Sequence, residues 1–298
     1  MIGRDTKSFE SELLAVSEAS PLVMGVVNVT PDSFSDGGRY FSPQDRHRAA
    51  IDHGLRLIEA GATWIDVGGE STRPGAIAVS LADERDRVLP VVKGLREAGV
   101  ERISVDSRKP ALMREALAVG ATMLNDVSGF SDPQAIEAAA DANASVCVMH
   151  MQGVPNTMQQ APSYRDVVAE VEAFLLERAD ALEASGVART RIWLDPGFGF
   201  GKTLEHNLAL FANLPRLAAH GYPLLIGVSR KSMIAALIGR GPDEVPPADR
   251  VAGSVAATLL AVDAGVRMVR VHDVRETVDA LRVRARLRAQ RVHGPTAW

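Results

Sequence analysis

The stretch Leu194-Asp195-Pro196-Gly197-Phe198-Gly199-Phe200-Gly201-Lys202-Thr203 ends a short apolar run with a carboxylate. A proline, three glycines alternating with two phenylalanines, and a lysine follow. The order is close to a phosphate-cradling loop, but that loop needs glycine where Pro196 stands. Proline offers no N–H and fixes φ, so it cannot replace that glycine, which argues against a nucleotide phosphatase. What remains is a carboxylate at a strand end beside a glycine loop carrying two exposed aromatic rings. An ordinary strand-to-helix turn is the plainer reading of the same residues.

Other polar residues also close short apolar runs: Asn28, Asp66, Asp106, Asn125, Lys231, Arg270 and His272. Asp106, Asn125 and Asp195 offer acceptors and an amide, which suits a ligand rich in N–H donors, such as an amino-pyrimidinone edge. The same carboxylates could instead form an acid/base pair for a sugar or a proton transfer. Arg73, Arg270 and His272, with Asn28 beside them, suit an anionic group such as a phosphate or pyrophosphate on the other side of the site. Asp66 and Asp126 have a simpler reading as turn caps, and His150 reads as a loop hydrogen-bonder. No nucleophile elbow or Ser/His/Asp order is present, so acyl transfer is not supported.

The elements that must position these groups repeat a phrase. Gly61-Ala62-Thr63-Trp64-Ile65-Asp66 matches Gly120-Ala121-Thr122-Met123-Leu124-Asn125, with looser versions from Gly99 to Asp106, Gly186 to Asp195, and Gly265 to Arg270. Each is a helix-ending glycine, a short strand, and a polar residue where the strand finishes. Thr63 to Val67 is the strand of the first phrase; Leu22 to Val27, Ser145 to Met149 and Pro223 to Gly227 are further strand runs, the first continuous and apolar as in a strand buried on both faces of a parallel sheet. Ser42-Pro43 is expected to open a helix with Ile51, Leu55 and Ile58 on one face and Gly61 after it. Ser80 with Asp83 is a capping-box start for another, with Val88, Val91, Val92 and Leu95 as its stripe and Gly99 at its end. About eight strands alternating with helical patterns predict an α/β fold, the (β/α)8 TIM barrel. A doubly wound sheet is the alternative, but no Gly-x-Gly-x-x-Gly follows the first strand. Residues 1–20 read as an N-terminal extension, 21–289 as the barrel and 290–298 as a tail. In a barrel, these polar strand-end residues would share the mouth at the strands' C-terminal ends.

Composition narrows the function classes. The 298 residues are 46% hydrophobic and 23% charged, with a formal charge of −4, and contain no basic block. Neither nucleic acid nor an anionic membrane is expected as a partner. No apolar run is long enough to span a bilayer, and Met1-Ile2-Gly3-Arg4-Asp5 begins no signal-peptide core. Cys147 is the single cysteine and is expected as a buried strand residue in a reducing cytoplasm. The histidines lack metal-ligand spacing, so a zinc site is not expected. Asn28 to Gly38 and Gly68 to Gly75 are polar, glycine-rich loops after strands one and two, expected to be mobile lids.

Taken together, Asn28-Val29-Thr30-Pro31-Asp32-Ser33-Phe34-Ser35-Asp36-Gly37-Gly38, Gly69-Glu70-Ser71-Thr72-Arg73-Pro74-Gly75, Asp195 to Lys202 and Ser229-Arg230-Lys231-Ser232 closely resemble the signatures of the bacterial dihydropteroate synthase family. The matches run in order from Met24 to about Val274. The resemblance implies a barrel, usually homodimeric, that uses Mg²⁺ and joins p-aminobenzoate to 6-hydroxymethyl-7,8-dihydropterin diphosphate, releasing pyrophosphate. It implies that Asp106, Asn125, Asp195 and Lys231 hold the pterin. It also implies that Asn28, Arg73, Arg270 and His272 take the diphosphate, Asn28 touching Mg²⁺ as well, and that Thr72, Pro74, Phe200 and Ser232 shape the p-aminobenzoate pocket. Lys231, Arg270, His272 and Asp106 are the expected catalytic groups, and sulfonamides are expected to compete with p-aminobenzoate. The chain departs from the family at Ser107, where threonine is more usual; serine keeps the hydroxyl.

The implied chemistry agrees with the residue types. One carboxylate can accept a pterin's N3–H and 2-amino group in a fork, and Asp195 is the expected one. Lys231 can reach the ring's carbonyl oxygen or N5. A cation at a helix N-terminus opposes the macrodipole, so Lys231 needs a reason beyond the helix, whereas Ser232 and that N-terminus suit a carboxylate. An aromatic amine is unprotonated at neutral pH and needs no strong base, consistent with the missing triad. The expected order is loose C–O cleavage, then amine attack. A pterin-dependent methyltransferase domain and a non-catalytic pterin-binding paralogue are the competing readings. The methyltransferase would not need the anion-binding cluster or the first loop's signature, and a mere binder could lose the diphosphate groups freely. Lys202 is expected to be structural.

Overall fold

The computed structural model describes residues 21–30, 43–71, 75–241 and 244–292. Among them, eight strands, each joined to its neighbours in parallel, lie in the order β6-β5-β4-β3-β2-β1-β8-β7. They are β1 (Leu22–Asn28), β2 (Trp64–Gly68), β3 (Ile103–Asp106), β4 (Met123–Asp126), β5 (Ser145–Met149), β6 (Ile192–Asp195), β7 (Leu225–Ile226) and β8 (Met268–Val271). The remaining edge is joined by a parallel bridge between Leu194 and Leu224, with the Leu194 N–H donating to Pro223 O at 3.0 Å. The sheet therefore wraps into the expected (β/α)8 barrel. β7 is shorter than the apolar run Pro223 to Gly227 suggests, because Pro223 has no N–H for the ladder and contributes only its carbonyl.

The helices between strands are α1 (Pro43–Glu59), α2 (Leu81–Glu97), α3 (Pro110–Ala118), α4 (Pro133–Asp141), α5 (Val167–Ala184), α6 (Leu204–Ala212), α7 (Leu214–Ala218), α8 (Ser232–Leu237), α9 (Val251–Asp263) and α10 (Val274–Val292). α2 starts as its sequence dictates: Ser80 caps it, accepting from the Asp83 N–H at 3.1 Å, and Val88, Val91, Val92 and Leu95 are fully buried. The box is not reciprocal, since the Asp83 carboxylate accepts the Ser80 hydroxyl rather than a backbone N–H. The repeated glycine phrase has a backbone cause, since Gly61, Gly99, Gly120, Gly186 and Gly265 all have positive φ, which glycine alone adopts without strain. α10 continues past residue 289 to Val292. The extension at 1–20, most of the first loop, Ser42 and residues 293–298 lie outside the described residues.

Alternation along the strands divides the core in two. Val23, Ile65, Val105, Leu124, Val148, Leu194, Ile226 and Val269 pack outward under the helices. Leu22, Met24, Trp64, Met123, Cys147, Trp193, Leu225 and Met268 form a separate buried cluster, the plug inside the barrel. This plug closes the barrel below, so the polar residues two positions further along the same strands sit on a sealed apolar floor. No helix of the described residues is long and apolar enough to cross a membrane.

Candidate active site

The inward parity that puts Trp64, Met123, Trp193 and Met268 in the plug puts Asp66, Asn125, Asp195 and Arg270 in the layer above them. Asp106 joins that layer as the register partner of both Gly68 and Asn125. Gly68 leaves room here: a Cβ built on it would lie 3.6 Å from Asp106 Cβ and 3.9 Å from Asn28 Oδ1. An open shelf is thereby left between an amide oxygen and a carboxylate.

Arg270 organises one side of the mouth. Its Nε donates to Asp66 Oδ2 at 2.6 Å and its Nη2 to Asp106 Oδ2 at 3.1 Å. Asn125 Nδ2 donates weakly to the same Asp66 oxygen at 3.4 Å. Asp66 is fully buried, so its role is to orient this arginine, not to cap a turn. Asp126 is one residue out of phase with Asn125, faces the helix layer and does cap: it accepts from Ser128 N–H at 2.8 Å and Phe130 N–H at 2.9 Å. Burial pushes the Asp106 carboxyl up to about 7, while the Arg270 guanidinium opposes the rise. The two carboxylates hold Arg270 firmly protonated despite its burial. The groups expected for an anion and those expected for a pterin are consequently not on opposite sides, because Arg270 bridges into the acidic cluster.

The β6–β7 side is built from the glycine loop. Asp195 Oδ1 accepts the Gly197 N–H at 2.7 Å, and burial raises its carboxyl above the ordinary range while Lys231 pulls it down. Lys231 Nζ donates to Phe198 O and stands 4.4 Å over the Phe200 ring, a cation–π contact. Burial lowers its ammonium to about 8, with Asp195 resisting. Gly199 is what admits the lysine, since a Cβ there would lie 3.3 Å from Lys231 Cδ. Only one of the two aromatic rings is available: Phe200 is half-buried, but Phe198 is fully buried with its ring centroid 5.9 Å from that of Phe211. Phe198 points into the helix layer because Gly197 and Gly199 on either side of it have positive φ, which breaks the alternation and turns its ring away from that of Phe200.

The remaining expected residues fall into three groups. Asn28 ends β1 at the mouth, and His272 follows β8 with its N–H and Nδ1 both 3.2 Å from the buried Ser229 Oγ. Ser232 is exposed as the first residue of the six-residue α8, with Lys231 at the cap position. Thr72, Arg73 and Pro74 lie outside the described residues. The base of their loop is anchored, which its polar sequence did not suggest. Glu70 accepts from Arg108 Nη2 at 2.9 Å and from Lys109 Nζ, Lys109 also reaches the buried Glu84, and Arg87 Nη1 donates to Gly69 O at 2.9 Å. Ser107 accepts the Lys109 N–H at 3.2 Å through its hydroxyl, the group that serine and threonine share. Sequence reasoning also missed the Arg230–Asp273 ion pair, which ties the loop before α8 to the end of β8. Its one sequence signal was an acid directly after His272.

No group of three or more histidine, cysteine or acidic residues able to hold a metal occurs among the described residues. The donors present, Asn28 Oδ1 and Asp106 beside the Gly68 shelf, are hard oxygens. They fit Mg²⁺, which takes few protein ligands and completes its shell with water and substrate phosphates.

Comparison with known proteins agrees with this geometry. The model of the pterin binding enzyme family matches residues 24–272. The chain is 51% identical over 263 residues to the dihydropteroate synthase of Escherichia coli K12, covering 88% of this chain and 90% of that one. The Xanthomonas albilineans dihydropteroate synthase solved with 4-aminobenzoic acid superposes with a TM-score of 0.83 at 50% identity, covering 91% and 94% of the two chains. The same organism's enzyme in complex with 7,8-dihydropteroate gives a TM-score of 0.80 at 47% identity, covering 91% and 95%. With its barrel, its carboxylate-lined mouth and these relatives, the chain belongs to the dihydropteroate synthase family of pterin-binding enzymes.

Proposed function

We propose that this transferase condenses 6-hydroxymethyl-7,8-dihydropterin diphosphate with p-aminobenzoate to give 7,8-dihydropteroate and pyrophosphate. The observation that carries the reading is the division of labour among three buried carboxylates. Asp66 and Asp106 share Arg270 through direct hydrogen bonds, whereas Asp195 accepts the Gly197 N–H and has Lys231 as the foremost of the cations acting on it. Asp195 is thus the acceptor available to the adjacent N3–H and 2-amino donors of a pterin, with Asn125 and Asp106 completing the edge and Lys231 facing the ring's carbonyl or N5. Met149, Cys147 and Trp193 supply an apolar floor beneath a flat ring.

Asn28, Arg270, His272 and Arg73 would take the diphosphate. Asn28 Oδ1, with water and the phosphates, would hold Mg²⁺, which when bound neutralises the developing charge on the leaving group. Arg270 stabilises that charge from a preorganised, water-poor position. Phe200 and Ser232, with Thr72 and Pro74, would bound the p-aminobenzoate, whose amine attacks the pterin methylene after a loose C–O cleavage. The site is rich in anion binders and poor in bases, which favours that order. Sulfonamides would compete for the same pocket.

Exposed Leu260, Val283 and Leu287 on α9 and α10, with Leu237 and Ile238 at the end of α8, favour a homodimer through this face. The free, buried Cys147 suits the cytoplasm. The test is pyrophosphate release by the pure protein with Mg²⁺. Release that requires both substrates supports the synthase reading. A methyltransferase domain or a silent binder would give none, and absence of release would overturn the proposal.

A further inference from the structure

The glycine loop is held in an unusual way, and Lys202 is at its centre. This side chain is 3% exposed, and its Nζ lies 3.0 Å from Gly197 O, 3.0 Å from Phe200 O, 3.2 Å from His150 O and 2.9 Å from His150 Nδ1. Among the described residues no carboxylate forms an ion pair with it; the acceptors are peptide carbonyls and a ring nitrogen, and burial lowers the ammonium to about 7 while Asp195 resists from a distance. His150 is itself buried, with its N–H on Asp195 O at 3.0 Å, and burial with the neighbouring lysine holds its ring neutral. Nδ1 therefore accepts, and the ring proton sits on Nε2.

The backbone comes to this ammonium because glycine permits it. A Cβ on Gly197 would lie 1.9 Å from His150 O, and one on Gly201 would lie 2.4 Å from Gln152 O. The loop thus packs backbone to backbone against the segment after β5, and a narrow nest of carbonyls forms between them. The other loop carbonyls are also claimed: Phe198 O by Lys231, Gly199 O by Gln159 and Gly201 O by Tyr164 at 2.8 Å. Lys202 differs from these because it grips both ends of the short turn from Gly197 to Phe200, whose own Phe200 N–H to Gly197 O bond is 3.1 Å. One end of that turn donates to Asp195, and the other carries the Phe200 ring.

Resting on the assignment of Asp195 to the pterin and Phe200 to p-aminobenzoate, we propose that Lys202 is a positioning residue for both substrates. Its ammonium, seated on His150 and bonded to the carbonyls of Gly197 and Phe200, sets the distance between the pterin-holding carboxylate and the aromatic wall. A methionine fills the same volume without donors, so it removes the grip while keeping the packing.

The experiment compares Lys202→Met, Tyr164→Phe and wild type by pyrophosphate release with Mg²⁺, varying each substrate, at a temperature where circular dichroism shows all three folded. Lys202→Met is expected to raise KM for both p-aminobenzoate and the pterin diphosphate by about tenfold, since small misplacement of binding groups is costly. Tyr164→Phe, which frees Gly201 O outside the turn, is expected to keep both KM values within twofold while lowering Tm. A folded Lys202→Met enzyme with both KM values within twofold of wild type would overturn the proposal. Should Lys202→Met not fold, Lys202→Gln keeps two N–H donors; its failure to fold as well would assign the lysine to stability alone and also overturn the proposal. Absence of release by wild type would instead strike the functional assignment itself.

Discussion

On the side of the mouth formed by β2, β3 and β8, charge is balanced by charge: Arg270 lies between Asp66 and Asp106 and keeps both company. On the side formed by β5, β6 and β7, cations are held chiefly by the backbone: Lys202 sits among three peptide carbonyls and Lys231 donates to a fourth, with the Asp195 carboxylate nearby. The first arrangement is responsive, because an anion arriving at Arg270, as proposed for the diphosphate, would change how the guanidinium's charge is shared among its neighbours. The second is rigid, because the carbonyls that hold the lysines are fixed by the loop. A reaction that expels an anion while holding a flat neutral ring needs both kinds of surface. In the proposed reaction the responsive side would face the developing charge, and the rigid side would hold the ring in register with its attacker.

The largest effect should come from breaking the responsive side. Arg270→Met is expected to lower kcat by about 10²–10³-fold, as loss of a preorganised charge-stabilising donor does. It also leaves Asp66 and Asp106 without their cation, so chemical denaturation should show lower stability. An unchanged kcat in steady-state assays would place leaving-group stabilisation elsewhere. On the rigid side, Asp195→Asn turns one acceptor into a donor facing N–H groups. It should weaken pterin diphosphate binding by about 1–3 kcal/mol in a calorimetric titration. Unchanged affinity would move the ring to the Asp106 side.

A third prediction separates binding from stability on that same side. The Lys231 ammonium is lowered from its ordinary 10.5 to about 8. Above that pH the folded protein loses the charge, so KM for the pterin diphosphate should rise by up to about tenfold per pH unit. The unfolded chain still holds the proton up to 10.5, so this group makes the folded state more stable as pH climbs from 8 to 10.5. Binding and stability should therefore move in opposite directions, read by a KM–pH profile and by Tm; a KM that stays flat above pH 8 removes Lys231 from the ring. The smallest kinetic effect of the four belongs to Asp126→Asn, which touches neither side. It should cost about 1–3 kcal/mol in thermal unfolding, because one accepting oxygen becomes a donor facing a buried donor, and leave both KM values unchanged. A KM shift would mean that the outward parity of Asp126 is misread.

Much of this site was legible before the fold was seen. Each phrase of glycine, apolar strand and polar end carries its own backbone logic, and placing such ends together at a barrel mouth needs only the alternation of strand and helix. Asp106, Asn125, Asp195, Lys231 and Arg270 meet there as expected. Which of the two strand-end aspartates Asp66 and Asp126 faces inward was less legible, because parity depends on where the strand enters the sheet: Asp66 orients an arginine and Asp126 caps a turn. Both phenylalanines of the glycine loop looked available, yet the loop's positive-φ glycines rotate Phe198 into the core and leave only Phe200 at the mouth.

The amino-acid order by itself determined the barrel, the side of it that does chemistry and the identity of most groups there, because strand alternation, helix ends and strand-end polarity are local properties. Only the tertiary structure decided how those groups share charge. Arg270 and Asp66 are 204 residues apart, and Lys202 and His150 are 52 apart, so no local pattern signals either contact. The loop that opens as a carboxylate followed by glycines resembles an anion cradle in one dimension. Folded against the segment after β5 it turns its carbonyls inward, and a nest of carbonyls binds a cation, which the chain supplies as Lys202.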